Sequence, residues 1–485
     1  MTAVPRPADS GVPALAALLL GGLLLRLTIA YVLFPGSGFA SDIGTFTAWA
    51  NTLARTGPGE FYATTTFSDY PPGYLYVLWL VGGLGNLLAP LAGGDPFAAT
   101  GALIKMPPML ADLAVGYLLY RLVRAWRGER AESHRLGLIA AGIYLFNPVS
   151  WYDSALWGQT DAVGALVVLL GVAALVRGNS EGAAALAVLA ALVKPQFGIV
   201  FAPVVAAVLF HRHVLRPGAG PRLPLLVPAR LRPLVGEWFE EERGPWRLVS
   251  SAAVAGVLLV ILLAPFALDI ISFLQRMTHT AGGYPWLSVN AYNPWALVGA
   301  GGNPPLAFGG GWSPDREPLI GPLSGVLIGA ALLAGAYLLG MARLAWRPDR
   351  RSIVVVALFL ALCFFILPTR VHERYMFPIF GLLPLLAVVD RRWLWATVAL
   401  SAGAFINMHA ILTYPGYATP NIADLPLGEL FRSPLGVLVS VGLNTAGFVF
   451  AGWQLRPRAA EADPWQGPPD AAAAAAAASG GPCQG

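Results

Sequence analysis

The sequence predicts an all-α polytopic integral membrane protein: a bundle of about 12 transmembrane helices, with interfacial helices in its first external loop. Three observations predict it. Of 485 residues, 56% are hydrophobic and only 12% are charged, about half the ~25% charge of a soluble domain. Apolar runs of about 20 residues recur along nearly the whole length, each long enough for a ~30 Å hydrocarbon core. The net charge of +5 sits in short arginine-rich loops between those runs. That is the positive-inside pattern, and no nucleic-acid partner is expected from it.

Residues 1–12 are expected to be a cytoplasmic N-terminus. A first span follows, from about Pro13 to Leu33, with no small-residue cleavage site behind it, so it reads as an uncleaved span rather than a signal peptide. Arg26 lies about two turns inside that span and must pair with an acid or an anionic lipid group. Cys363, inside a span, and Cys483, in the tail, cannot pair, so no disulfide framework is expected.

Residues 34–101 form the first external loop. Counting residues 72–91 within it as a span would place Arg121, Arg124, Arg127, Arg130 and Arg135 outside and invert every later basic loop. Residues 72–91 are therefore expected to lie on the outer surface as an interfacial or re-entrant helix. The stretch opens with Pro71-Pro72, carries Tyr74, Tyr76 and Trp79, and contains four glycines, features suited to headgroup level.

With that choice the later loops agree. The cytoplasmic side receives Arg177, the basic loop 211–247 with seven arginines, and residues 343–351, 390–392 and 456–458. The fifth and sixth spans are short and meet at Lys194-Pro195-Gln196 on the outer side. Further external segments are expected at 269–320 and 414–433. Residues 13–453 make one membrane domain, and the alanine-rich tail 454–485 is expected to be disordered and cytoplasmic.

This topology gathers the polar residues at one interface. Asp42, Asp69, Lys105, Asp112, Asp153, Gln159, Asp161, Lys194, Gln196, His279, Tyr284, Asn290, Asn293, His372, Glu373 and Arg374 are all expected to fall at or near the outer surface. Ionisable groups at membrane depth face a cavity or a partner. A transporter would place them near the midplane between inverted repeats, and hydropathy here has no such repeat. An enzyme handling a lipid-linked substrate would place them at one interface.

Each candidate has a plainer reading beside the functional one. Asp42 either caps a helix over about residues 43–55 or serves as a general base. Asp153, Gln159 and Asp161 form a polar, sugar-binding turn, or Thr160/Asp161 is a cap beside an interfacial tryptophan, Trp157. An oxygen-ligand metal site from Asp42, Asp153 and Asp161 is a further alternative, although the spacing is not diagnostic; no metal or cofactor is assigned. Arg374 suits phosphate by its planar donor fork, and His372 can donate to a departing phosphate oxygen. Lys105 and Lys194 are either further phosphate ligands or lysines snorkelling from helix ends. Tyr284, Asn290 and Asn293 offer aromatic and amide contacts for sugar, or belong to an interfacial belt.

At these residues the chain resembles the GT-C superfamily of polyprenol-dependent glycosyltransferases. The resemblance rests on Asp42, Tyr70-Pro71-Pro72-Gly73, Lys105-Met106-Pro107-Pro108 and Asp112. Trp157-Gly158-Gln159-Thr160-Asp161, Lys194-Pro195-Gln196, Ser288-Val289-Asn290-Ala291-Tyr292-Asn293 and His372-Glu373-Arg374-Tyr375 look more specifically like bacterial mannosyltransferases related to the second mannosyltransferase of GPI-anchor synthesis. The likeness spans roughly residues 13–453; Asn293-Pro294 departs from it. It implies an inverting transferase with a polyprenyl-phosphate-linked sugar donor, mannose being the expected sugar. The acceptor would be a glycolipid, glycan or protein, and the active site extracytoplasmic. Asp42 would be the base, and His372, Arg374, Lys105 and Lys194 the phosphate ligands. Asp153, Gln159, Asp161, Tyr284, Asn290 and Asn293 would hold sugar or acceptor. The competing class is a secondary transporter or flippase of a lipid-linked saccharide.

Overall fold

A computed structural model describes residues 11–65, 67–128, 131–215, 244–417 and 419–456. The expectations for residues 1–10, for most of the basic loop 211–247 and for the tail from 457 onward lie outside the described residues.

Helices dominate, and their sequence explains their bounds. Met106–Arg127 opens on Pro107 and Pro108 and closes on the cationic Arg124 and Arg127, the polarity that helix ends favour. Pro195–Phe210 starts directly on its proline. Among the described residues, eight helices are long and apolar enough to cross a bilayer: Pro13–Leu33, Pro72–Ala92, Pro96–Arg127, Pro195–Leu215, Trp246–Phe266, Gly325–Trp346, Arg391–Leu412 and Pro434–Trp453. That is fewer than the expected dozen. Ala131–Leu145, Asp161–Val176, Ser180–Val193, Arg350–Ile366 and Pro378–Ala387 have 15, 16, 14, 17 and 10 residues. At ~1.5 Å per residue they fall short of ~30 Å. Arg350–Ile366 and Pro378–Ala387 are buried along nearly their whole length and form the core of the bundle. Trp246–Phe266 and Gly325–Trp346 are largely exposed and apolar, as a lipid-facing periphery requires.

The bundle has two chemically distinct ends. At one, Arg350 donates to the Trp126 carbonyl at 3.2 Å, Arg343 to Leu455 at 3.2 Å, and Arg351 to Gln454 at 2.8 Å. His211 meets the Ala345 carbonyl there at 2.6 Å. This is the arginine-rich end. At the other end lie Asp42, Gln159, Lys194, His372 and Arg374.

The first loop lies at that second end. A helix spans Ala40–Thr56, slightly longer than expected, and Pro72–Leu88 packs along it over an aromatic cluster of Phe46, Trp49, Phe61, Tyr70 and Tyr74. Pro72–Ala92 has the length and apolarity to cross a membrane on its own. Its path is nonetheless a return. It starts against the Leu192 backbone, so closely that a Cβ on Gly73 would come within 2.5 Å. The chain is back by Lys105, which bonds the Ser37 carbonyl. The helix on the returning leg, Pro96–Leu103, has 8 residues, about 12 Å.

Of the two partners expected for Arg26, an acid or an anionic lipid group, the structure supplies the acid. Its Nε donates to Asp112 Oδ2 at 2.8 Å, both side chains fully buried, and Tyr144 donates to the other carboxylate oxygen at 2.7 Å. A short antiparallel pair, Pro318–Ile320 with Leu323–Ser324, interrupts the helical pattern just before Gly325–Trp346.

Candidate functional site

A cavity of about 520 Å³ opens at the second end, with Arg370 and Arg374 in its wall. Four chain segments meet around it. The first is Ala40–Thr56 with the loop to Tyr70. The second is Gln159 with Lys194-Pro195-Gln196. The third holds Tyr284, Asn290 and Trp312, and the fourth runs from Pro368 to Tyr375.

Asp42 is the hub. It sits in the first turn of its helix, where the helix dipole favours a carboxylate. The capping alternative is overturned: the N-cap position is Phe39, and no side chain caps the helix. Asp42 Oδ2 instead accepts from Trp157 Nε1 at 2.8 Å and Gln159 Nε2 at 2.5 Å. Arg374 Nη2 stands 3.7 Å from the same oxygen. Gly158, at φ +88°, makes the left-handed turn that sends Trp157 and Gln159 to one carboxylate.

Behind this lies a second tier. Lys194 donates to Asp161 Oδ1 at 2.8 Å and Gln159 Oε1 at 3.3 Å, with its ammonium 5.7 Å over the Tyr70 ring. Gln196 donates to the same Asp161 oxygen at 3.1 Å. Arg374 pairs with Glu373, reaches Asp161 Oδ2 at 3.8 Å and lies 4.4 Å over the Trp157 ring. Burial disfavours the Arg374 cation, but the surrounding Glu373, Asp42, Asp161 and Asp153 outweigh it and hold the guanidinium charged.

The loop carrying His372 is fixed by backbone pairing. Val289 N–H donates to the Val371 carbonyl at 3.0 Å. Arg370, at φ +66°, bonds the buried Asp315 at 2.6 and 3.2 Å, and Thr369 adds a bond of 2.8 Å. Tyr284 meets His372 edge-on at 4.9 Å. Trp312 donates to Asn290 Oδ1 at 2.9 Å.

The structure thus brings Asp42, Gln159, Lys194, Tyr284, Asn290, His372 and Arg374 to one cavity. It corrects the expectation for four residues. Lys105 is not in the wall; its ammonium is held by the carbonyls of Ser37, Ala155 and Leu156 at 2.6, 2.8 and 3.1 Å, so it braces the loop behind Asp42. Asn293 is fully buried, accepting from Trp295 N–H at 3.1 Å and donating to Phe365 O at 2.7 Å, a cap for Pro294–Leu297. Asp161 stands behind the wall as the counter-ion of Lys194. Asp153 is fully buried with both carboxylate oxygens unpartnered; burial first, then Asp161, pushes its carboxyl well above the usual range. His372 is present but is not a cation: burial, then Arg374 and Lys194, pull it down to about 3. It is a neutral hydrogen-bonding group.

Trp157, Tyr70 and Trp312 also belong to the site; the first two lie in the motifs of the resemblance, where no site role is expected of them. Trp157 reads in sequence as a belt residue; the Trp-Gly-Gln spacing around a left-handed glycine is the signal that distinguishes it. Trp312 lies in a segment with no local pattern. Asp69 shares the cavity, its carboxyl raised by burial. Among the described residues, no group of three or more His, Cys, Asp and Glu is placed to hold a metal ion.

A family model, GPI transamidase subunit PIG-U, matches residues 55–288. No curated protein matches the chain. Among solved structures, the chain is similar to ArnT from Cupriavidus metallidurans bound to undecaprenyl phosphate, with 17% identity, covering 92% of this chain and 76% of that one at a TM-score of 0.42. It is also similar to the archaeal oligosaccharyltransferase AglB from Archaeoglobus fulgidus, in complex with an inhibitory peptide and a dolichol-phosphate. There the identity is 12%, with 91% of this chain and 56% of AglB covered, at a TM-score of 0.39.

Proposed function

We propose that this chain is an inverting glycosyltransferase that moves a sugar from a polyprenyl-phosphate donor to an acceptor hydroxyl at the outer face of the membrane. The observation that carries the reading is one cavity holding a carboxylate, Asp42, together with two cations, Lys194 and Arg374. Inverting transfer needs both. Asp42 takes the acceptor proton as the hydroxyl oxygen attacks the anomeric carbon. The bond from that carbon to the phosphate oxygen breaks, and polyprenyl phosphate leaves with the electron pair. Lys194 and Arg374 meet the charge that develops there, and neutral His372 donates a hydrogen bond. Gln159, Tyr284 and Asn290 hold hydroxyls and ring faces. Mannose is the proposed sugar because of the motif resemblance from Trp157 to Tyr375.

The outer face is supported by the arginine-rich character of the opposite end, which the positive-inside rule puts in the cytoplasm. The return of residues 72–105 to the same end of the bundle keeps that parity. The test is transfer from a radiolabelled panel of polyprenyl-phosphate sugars by membranes containing the full chain. Mannose transfer is expected; no transfer from any member would sink the reading.

A second reading is a non-catalytic membrane subunit. The family match favours it, since the model that matches residues 55–288 describes a GPI transamidase subunit. On that reading Asp42→Asn changes nothing measurable in assembly or transfer.

A further inference from the structure

We propose that Trp157 is a positioning residue that ties the base to the phosphate clamp, so that one indole sets both halves of the reaction; this rests on the transferase reading above. The indole does two separate things. Its Nε1–H donates to Asp42 Oδ2 at 2.8 Å. Its ring lies under the Arg374 guanidinium at 4.4 Å.

Three further observations extend this. Gln159 ends on the same Oδ2 at 2.5 Å, and the Arg374–Asp42 approach at 3.7 Å is to that oxygen too. Among the described residues, no hydrogen bond reaches Oδ1. A carboxylate held by one oxygen keeps the lone pairs of the other for an incoming proton. Oδ1 is therefore the proton acceptor, and Trp157 with Gln159 fixes which oxygen that is.

The ring itself is tightly packed. It is fully buried and stacks on Phe39 at 5.0 Å with 14° between planes. The Trp157 carbonyl accepts Phe39 N–H at 3.2 Å, which locks the indole to the start of the helix bearing Asp42. Arg374 Nε makes no hydrogen bond, and Nη1 is bonded to Glu373, so the aromatic face beneath the guanidinium and the Glu373 carboxylate together set its plane. A cation over an aromatic ring in a desolvated site is a favourable contact.

The two roles separate by substitution in the full-length protein. Trp157→Phe keeps an aromatic face under Arg374 and removes only the N–H. It is expected to lower kcat by about 10- to 100-fold, the value of a hydrogen bond to a charged group, with the donor KM within about threefold. Trp157→Leu removes both contacts and is expected to raise the donor KM about tenfold as well. The decisive measurement is a double-mutant cycle. In an Asp42→Asn background, Trp157→Phe is expected to cost less than about threefold in single-turnover rate, because its partner charge is already gone.

The inference is overturned if Trp157→Phe matches the wild type, or if it lowers the rate by the same factor in both backgrounds. The latter result would mean a general packing role. Should Trp157→Leu fail to fold, the Phe cycle decides alone. A wild-type chain that transfers none of the sugars instead defeats the functional reading, which is a distinct outcome from either.

Discussion

Lys194 and Asp161 form an ion pair of 2.8 Å in which the carboxylate is fully buried and the lysine nearly so. The same ammonium borders the cavity, whereas the ammonium of Lys105 bonds three carbonyls outside it. The two lysines, alike in sequence, should therefore fail differently. Lys194→Met is expected to raise the donor KM about tenfold, as loss of a charge-assisted contact implies, and also to lower the melting temperature, because Asp161 is left buried without its counter-ion. Lys105→Met leaves donor KM unchanged and lowers the melting temperature in detergent, because buried carbonyls lose their donor at roughly 1–3 kcal/mol each. Steady-state kinetics beside thermal melting checks both.

His372 is neutral throughout physiological pH, since burial and the neighbouring cations pull it down to about 3. His372→Gln, which keeps a donor, should leave the shape of the pH–rate profile between about pH 5 and 8 unchanged. His372→Phe should lower kcat about tenfold at every pH in that range. An inflection near pH 6.5 that disappears in His372→Gln would contradict the assignment.

Asp153 gives a pH-dependent stability. Burial, then Asp161, raises its folded-state carboxyl well above the unfolded range. The folded chain keeps a proton that the unfolded chain releases above about pH 4. Its stabilising share is thus complete below that pH and is lost as pH rises toward the folded value. Asp153→Asn has no such loss. Its melting temperature relative to the parent should be about equal at pH 4–5 and increasingly higher toward pH 8; a constant difference would refute this.

Arg26 and Asp112 are both fully buried at 2.8 Å. Removing one partner of such a pair costs roughly 3–5 kcal/mol. Arg26→Met should therefore prevent accumulation of folded protein. The double change with Asp112→Leu should restore much of it, as detergent-extracted folded yield will report. Single and double variants of equal yield would show that the pairing is not what holds these helices.

The sequence carried the bundle and the clustering of site groups because both follow from long-range patterning. Apolar length sets the helices, arginine placement separates the two ends, and an arginine inside a span implies a partner such as Asp112. It was silent wherever two residues of one type differ only in what lies opposite. Nothing local distinguishes Lys105 from Lys194, or Asn290 from Asn293; backbone carbonyls claim one member of each pair and the cavity the other. Asp42 looked like a helix cap because a cap and a first-turn acid share the same position in sequence. Only the indole and amide that reach it from residues 157 and 159 tell them apart. Trp312 came from a segment without periodicity and could be found only by folding.

The measurement closest to the central claim is transfer from radiolabelled polyprenyl-phosphate mannose by Asp42→Asn in membranes, with donor binding measured alongside. Loss of the base should lower the rate by roughly 10²- to 10⁴-fold while donor affinity and folded yield hold within about threefold. An Asp42→Asn chain that transfers mannose as fast as the parent would contradict the account.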